Sequence, residues 1–161
     1  MNTLLRKWRS FNSLPWPSRM LVPVVWLMLG IARLTIIALP FTLVRRWLGG
    51  HQQIAPWLHC LEAPQEQKAR EVGHIVRTTA YYTPWTSNCF PQALVARTLL
   101  TLMHQPHTIF FGLRREQNCL LAHAWVMSGR VAVTGGQSFG HYAVVGCFTW
   151  PADSPVQRTS P

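Results

Sequence analysis

The apolar and polar positions divide the chain into an N-terminal apolar half and a patterned remainder. From Met20 to Val44 almost every position is apolar, with Arg33 as the single charge. This length suffices for a tilted transmembrane helix, but a central arginine costs about 3 kcal/mol on insertion scales. No clear small-residue cleavage site ends the run, which disfavours a signal peptide. We favour helices that pack on the domain or lie at a membrane surface, and a true span stays open.

Two helical patterns follow the apolar segment. Apolar positions at helical spacing predict one helix from about Gln65 to Thr79 and a second, more strongly, from Cys89 to His104. Between them, the stretch YYTPWTSN reads as a loop because of its Pro, Thr, Ser and Asn content.

After Pro106 the pattern changes to short β-rich runs separated by turn residues, including a Ser-Gly pair that predicts a tight hairpin. Helices followed by an antiparallel meander predict an α+β fold. We divide the chain into an apolar, basic helical segment (1–50), a single domain (51–150) and a Pro-rich disordered tail (151–161).

Charge narrows the choice of partners. The 161 residues carry 15 Lys and Arg against 5 Asp and Glu, a net charge of +10. Residues 1–50 contain no acid at all, so much of the excess lies beside the apolar run. This balance permits an anionic membrane surface, nucleic acid or an acidic partner. Nucleic acid is disfavoured because the chain shows no reading motif.

Cysteine usage points to one candidate nucleophile. The four cysteines are scattered and form no C-x-x-C pair, which argues against a zinc site and a disulfide scaffold. Only Cys89 falls at a predicted helix start, with Asn88 or Ser87 as N-cap and Pro91 in the first turn. Free N–H groups and the positive dipole end favour a thiolate there. A buried structural cysteine is the competing interpretation.

The candidate base is His123, in the predicted strand LAHAWVM, where small neighbours allow another element to approach closely. A structural histidine is the alternative. Cys119 and His123 would lie about 13 Å apart on one strand face, which argues against their sharing a metal. We expect no metal and no cofactor.

Together these motifs resemble a known family. The S-N-C-F-P-Q-A helix start, the A-H-A-W-V strand some 34 residues later and the G-R-V-A-V strand are similar to the leader peptidases of lasso-peptide biosynthesis, over roughly residues 65–149. The resemblance implies a papain-type, transglutaminase-like cysteine peptidase with Cys89 as nucleophile and His123 as base. It also implies a precursor peptide, a separate leader-recognition protein and an asparagine-synthetase-like cyclase as partners.

The rest of the site is less determined. The family places an Asp on or just after the strand that follows the His, but residues 131–138 contain no acid here. Gln137 and Thr134 are the candidates for the third member, and Asp153 in the tail is a poor one. The N–H of Cys89 is one oxyanion donor, and Asn88 and Trp85 are candidates for the second.

Two other classes of protein remain as alternatives. The missing acid motivates an inactive transglutaminase-like scaffold, and the apolar run motivates a small membrane-associated protein. The expected location is the cytoplasm, in association with the inner face of the membrane.

Overall fold

The computed structural model describes residues 16–40, 43, 50–52, 59–117, 119–136 and 139–151. Along the chain, the described helices come first and the long strands come last. In chain order the elements are α1 (Trp16–Ala38), β1 (Gly50–Gln52), α2 (Ala63–Tyr81), α3 (Cys89–Leu102), β2 (His107–Glu116), β3 (Cys119–Ser128), β4 (Val131–Thr134), a 3₁₀ turn (Phe139–His141) and β5 (Ala143–Trp150).

The strands form one antiparallel sheet in the order β1-β5-β2-β3-β4. The three-residue β1 pairs with the end of β5. β2 and β3 form a long hairpin with Phe110 opposite Trp125. The predicted α+β class, with a Cys-bearing helix and an antiparallel sheet, is confirmed. The predicted meander is wrong for the last strand, because β5 pairs with β2 and not with β4, the strand before it in the chain.

Alternation along the strands gives the sheet two different faces. Ile109, Ala124 and Phe148 point into the main core, which they share with the helices. Their neighbours Phe110 and Trp125 point the other way and stack with ring centroids 5.4 Å apart. The period-2 pattern therefore separates a helix-covered face from a smaller aromatic cluster.

The sequence predicts apolar N-terminal helices, and the described residues contain one such helix, α1. Its Val25, Leu29 and Ala32 are buried in the same core as residues of α2 and α3. Met20–Ala38 is also long and apolar enough to cross a membrane, judged by length and composition only. The proposed boundary at residue 50 stays a prediction, as does the disordered tail, whose residues 152–161 lie outside the described part.

The ends of α2 and α3 follow from local chemistry. α2 begins two residues before the predicted Gln65, because the Gln65 side chain accepts the Glu62 N–H at 3.0 Å. α3 ends at Leu102 rather than His104, because His104 adopts a φ of 52° and Gln105 N–H bonds back to Leu100 O at 2.8 Å. These bonds form a Schellman motif with histidine in the left-handed position.

α2 also protects the edge of the sheet. The Arg77 guanidinium donates a hydrogen bond to the Val133 carbonyl of β4, an edge strand whose outer carbonyls would otherwise be open. Gly73 packs directly on the same carbonyl, and a side chain at this position would collide with it. Burial lowers the pKa of Arg77 from its ordinary value.

The predicted Ser-Gly hairpin is present between β3 and β4. Ser128 pairs with Val131, which leaves Gly129 and Arg130 as the turn. Gly129 has a φ of 57°, a conformation in which glycine avoids the strain of a side chain.

A buried histidine lies at the start of β2. His107 is 1% exposed, donates its Nδ1–H to Gln105 O at 2.9 Å and stacks on Trp150. Its Nε2 has no hydrogen-bond partner among the described residues. Burial lowers the pKa of His107 to about 4, with smaller contributions from the charges of Arg97 and His59, against the opposing hydrogen bond to Gln105.

This burial predicts a pH-dependent stability. The unfolded chain takes up the proton near pH 6.5 and the folded chain only near pH 4, so stability is lost as pH falls through that window. The loss reaches about 3 kcal/mol at its lower end. Urea unfolding at pH values across the window should show this loss in the parent and a flatter dependence in His107→Gln.

His104→Gln is the matched control, because His104 is exposed at the end of α3. It should retain the pH dependence of the parent. If the free energy of unfolding depended on pH equally in His107→Gln and in the parent, the assigned role of His107 would be contradicted.

Candidate active site

Cys89 is the first residue of α3, as predicted. Asn88 precedes it as an extended N-cap, with φ −68° and ψ −171°, and the buried Pro91 occupies the first turn. The N–H of Cys89 has no acceptor within the helix, and the thiol lies at the positive end of the helix dipole. This position offers a backbone donor for a developing oxyanion beside the thiol.

The loop before Cys89 is fixed by side-chain hydrogen bonds. The hydroxyl of Thr83 contacts the carbonyls of Ala80 and Trp85 at 2.8 and 3.0 Å and the hydroxyl of Ser87 at 2.8 Å. From inside α3, the Gln92 amide donates to Ser87 O at 2.7 Å. The loop that leads to Cys89 is therefore held by hydrogen bonds from Thr83 within the loop and from Gln92 of α3.

His123 lies on β3 with its ring between two aromatic side chains. Tyr142 stacks on it with centroids 4.9 Å apart, and Trp125 with centroids 5.8 Å apart. Trp125 shares the face of β3 with His123 because the two are two residues apart. Arg114 lies over the Tyr142 ring at 5.4 Å. The stacking restricts the tilt of the imidazole.

The Nε2 atom of His123 lies 2.9 Å from the Gly135 carbonyl oxygen. A carbonyl oxygen only accepts, so Nε2 carries the proton and donates it to this bond. Nδ1 is then the lone-pair nitrogen of the neutral ring, which is the nitrogen that a base requires. In Cys–His sites a third group holds the ring in the correct tautomer, and here a main-chain carbonyl makes that bond.

Cys89 and His123 line the same cavity, of about 380 Å³. Its other walls come from α3 and from β2, β3 and β5. None of the described lining residues is Asp, Glu, Lys or Arg. The lining residues are Cys89, Phe90, Phe111, Gly112, Leu113, Ala122, His123, Ala124, Val145, Gly146 and Phe148.

A break in the pairing of β2 and β5 shapes one wall. Phe111 pairs with Gly146 and Gly112 with Val144, so Val145 is an extra residue on β5. Such a β-bulge re-aims side chains and often accompanies a site. Val145 reaches the cavity wall, whereas Val144 does not line it.

The predicted third members differ in what the structure records. Thr134 is buried, and its hydroxyl has no hydrogen-bond partner within the described residues, so it does not hold the His123 ring here. Its catalytic role stays a prediction. Gln137 lies outside the described residues, as does Asp153.

The two candidates for the second oxyanion donor lie near Cys89 but do not line the cavity. Asn88 is exposed, and its side chain makes no capping hydrogen bond. The Trp85 ring packs on α1, 4.6 Å from the ring of Trp26, and its buried Nε1–H has no partner among the described residues. Neither assignment is tested by these positions.

The remaining cysteines occupy other environments. Cys60 and Cys119 are exposed, and Cys147 is buried beside Phe110 and Trp125 and does not line the cavity. Burial raises the pKa of the Cys147 thiol. Within the described ranges, no three His, Cys, Asp or Glu side chains are grouped closely enough to hold a metal ion.

Sequence reasoning missed the contributions of Gly135, Tyr142 and Gln92. The role of Gly135 belongs to its main-chain carbonyl, which residue type does not reveal. Its φ of 67° is the reason for glycine at this position, and the Gly-Gly pair after β4 was the available signal. The bond from Gln92 to Ser87 spans five residues and needs the helix geometry to be recognised.

The geometry predicts that Gly135→Ala reduces the reactivity of Cys89. A Cβ at Gly135 would lie 2.7 Å from Ala124 O and 3.0 Å from His123 Nε2, so the loop must shift and the acceptor with it. We expect alkylation of Cys89 by iodoacetamide near neutral pH to slow by about tenfold. Peptide mass spectrometry would follow the modification of Cys89 alone.

Gly129→Ala is the matched control, since Gly129 also has a positive φ, of 57°, but lies at the β3–β4 turn against Leu61. It should lower stability and leave the alkylation rate unchanged. Gly140→Ala, with open space around the new Cβ, should change neither. Equal slowing in Gly129→Ala and Gly135→Ala would refute a specific role of the Gly135 carbonyl.

Comparison with known proteins identifies the family of the chain. The sequence matches the transglutaminase-like superfamily over residues 35–146. No curated protein matches the chain, and no solved structure does. The superfamily includes cysteine peptidases. Because the match covers more than half of the 161 residues, the chain belongs to the transglutaminase-like superfamily.

Proposed function

We propose that this protein is a cysteine peptidase that cuts the leader from a lasso-peptide precursor. The observation that carries the proposal is that Cys89, at a helix N-terminus, and His123, with its tautomer set by Gly135, line one cavity. The superfamily supports cysteine-based acyl chemistry. The finer assignment rests on the resemblance of the motifs around Cys89 and His123 to the leader peptidases.

The proposed reaction is acyl transfer through a thioester. His123 Nδ1 accepts the Cys89 thiol proton, and the sulfur attacks the carbonyl carbon of the scissile amide. The N–H of Cys89 donates to the oxyanion that forms. His123 returns its proton to the amide nitrogen, which leaves as the amine of the core peptide.

Water completes the reaction. His123 takes a proton from a water molecule, whose oxygen attacks the thioester, and the sulfur leaves and is reprotonated. The leader departs with a free carboxylate. The core peptide keeps a free N-terminal amine, the group that a ring-closing cyclase of the asparagine-synthetase type would need.

The cavity narrows the substrate class. Its walls are almost entirely aliphatic and aromatic, and a charged side chain placed there would lose its hydration without an ionic partner. We therefore propose that an apolar side chain of the precursor, close to the scissile bond, fills this space.

Recognition of the rest of the leader is assigned to a separate protein. The described strands all belong to one sheet, of which β2, β3 and β5 line the cavity, so no separate sheet for leader binding is present among the described residues. The proposed partners are thus the precursor, a leader-recognition protein and the lasso cyclase, and the proposed location is the cytoplasm.

An inactive scaffold is the second candidate, and one observation favours it. The carboxylates of the described residues lie on α2, at its N-cap and at the end of β2, and none lines the cavity. A carbonyl acceptor orients the imidazole but stabilises its cation less than a carboxylate does. The two candidate functions differ in whether Cys89 catalyses repeated cleavage of a substrate.

The nucleophile assignment predicts that Cys89→Ala abolishes leader cleavage, because none of the other three cysteines lines the cavity in which the thioester forms. The assay combines the purified chain, its recognition partner and the precursor, and follows products by mass spectrometry. Cys60→Ala and Cys119→Ala remove exposed thiols outside the cavity and should keep the parent rate. Cleavage by Cys89→Ala at the parent rate would overturn the assignment, and an inactive but folded parent would support the scaffold.

The apolar cavity predicts a change in substrate binding for Val145→Asp. A carboxylate on the cavity wall should raise KM for an apolar substrate by about tenfold and leave kcat much less affected. Val144→Asp is the matched control, because Val144 is a similarly exposed neighbour on β5 that does not line the cavity. Equal effects of the two variants would contradict the proposed binding of an apolar side chain.

A further inference from the structure

The surface of α1 that points away from the core carries a continuous apolar stripe. Its residues recur at spacings of four and three, which places them on one side of the helix. Each is between 50% and 68% exposed, and we call this set the outer face of α1. The residues are Met20, Val24, Leu27, Ile31 and Leu34.

The outer face contains no charge. Arg33 projects about 200° round the helix from Ile31 and so lies off the stripe. The hydroxyl of the nearby Thr35 donates to Ile31 O at 2.9 Å and is satisfied within the helix. A low-dielectric partner would therefore meet no unpaired polar side chain on this face.

We propose that the outer face of α1 docks in the plane of an anionic lipid bilayer. The charge of the surrounding sequence supports lipid as the occupant. Residues 1–50 hold seven Lys and Arg, no acid and four of the eight Trp residues. An apolar helix face accompanied by bases and Trp is typical of an interfacial helix on anionic lipid. A second copy is disfavoured, because two chains of charge +10 repel each other.

The opposite face of α1 determines the orientation. Val25 and Leu29 are fully buried in the core shared with α2 and α3. Gly30 and Trp26 pack on Trp85 in the loop before Cys89. A helix that crossed the bilayer would have to withdraw these residues from the core. α1 thus lies along the surface while the domain stays in water.

Sedimentation with vesicles tests this proposal on the full-length protein. The parent should bind vesicles made of equal parts phosphatidylcholine and phosphatidylglycerol, and bind phosphatidylcholine alone much more weakly. Leu27→Glu should reduce binding to the mixed vesicles by about tenfold, because a carboxylate on this face opposes both apolar burial and the anionic surface. Leu34→Gln, without the added charge, should weaken binding in the same direction.

Leu120→Glu is the matched control, since Leu120 is 68% exposed but lies on β3, and it should bind as the parent does. All three variants change outward-facing side chains, so urea midpoints should match the parent. Alkaline carbonate should release the bound protein.

Three kinds of result would overturn the proposal. The first is absence of binding by the parent or unchanged binding by Leu27→Glu. The second is resistance to carbonate, which indicates a span. The third is a lower molecular mass for Leu27→Glu than for the parent in light scattering without lipid, which indicates a protein interface. None of these readouts depends on peptidase activity.

Discussion

The hydrogen bond from His123 to the Gly135 carbonyl is the interaction on which the proposed chemistry depends. It sets the tautomer of the ring, and it exists only because the chain turns back after β4 with a φ of 67° at Gly135. β4 is an edge strand, yet Arg77 and Gly73 of α2 hold its Val133 carbonyl in place. A bond far from Cys89 in sequence therefore determines how the base is oriented.

α3 joins the core to the reactive end of the site. Its buried Ala93, Ala96 and Leu100 pack in the main core, so the helix axis is fixed by apolar contacts. Cys89 stands at the first position of that rigid element, and Gln92 bonds back to the loop that precedes it. The thiol is thus positioned by burial several residues away, which is how a small domain can hold a reactive group with few polar contacts.

The sequence allowed prediction of those features that repeat or that depend on residue type. Helical spacing in α2 and α3, the apolar runs of the sheet and the Ser-Gly turn have direct physical signatures, and so does a cysteine beside an N-cap and a proline. The carbonyl acceptor and the bulge at Val145 have no such signature, because both arise from strand register and loop direction. The predicted start of α2 and the predicted end of α3 were each wrong by two residues. The Glu62–Gln65 hydrogen bond determines the first, and the positive φ of His104 determines the second.

The two faces of α1 link the proposed membrane surface to the proposed site. On one side its apolar stripe is exposed, and on the other Gly30 would place a Cβ only 3.1 Å from the Trp85 ring. Trp85 O is in turn held by Thr83, whose hydroxyl contacts Ser87 just before Cys89. Because these contacts are close-packed, a shift of α1 would be transmitted to the loop rather than absorbed. A helix that docks in the plane of the bilayer keeps this packing intact, whereas one that inserts across it would remove the support of the nucleophile.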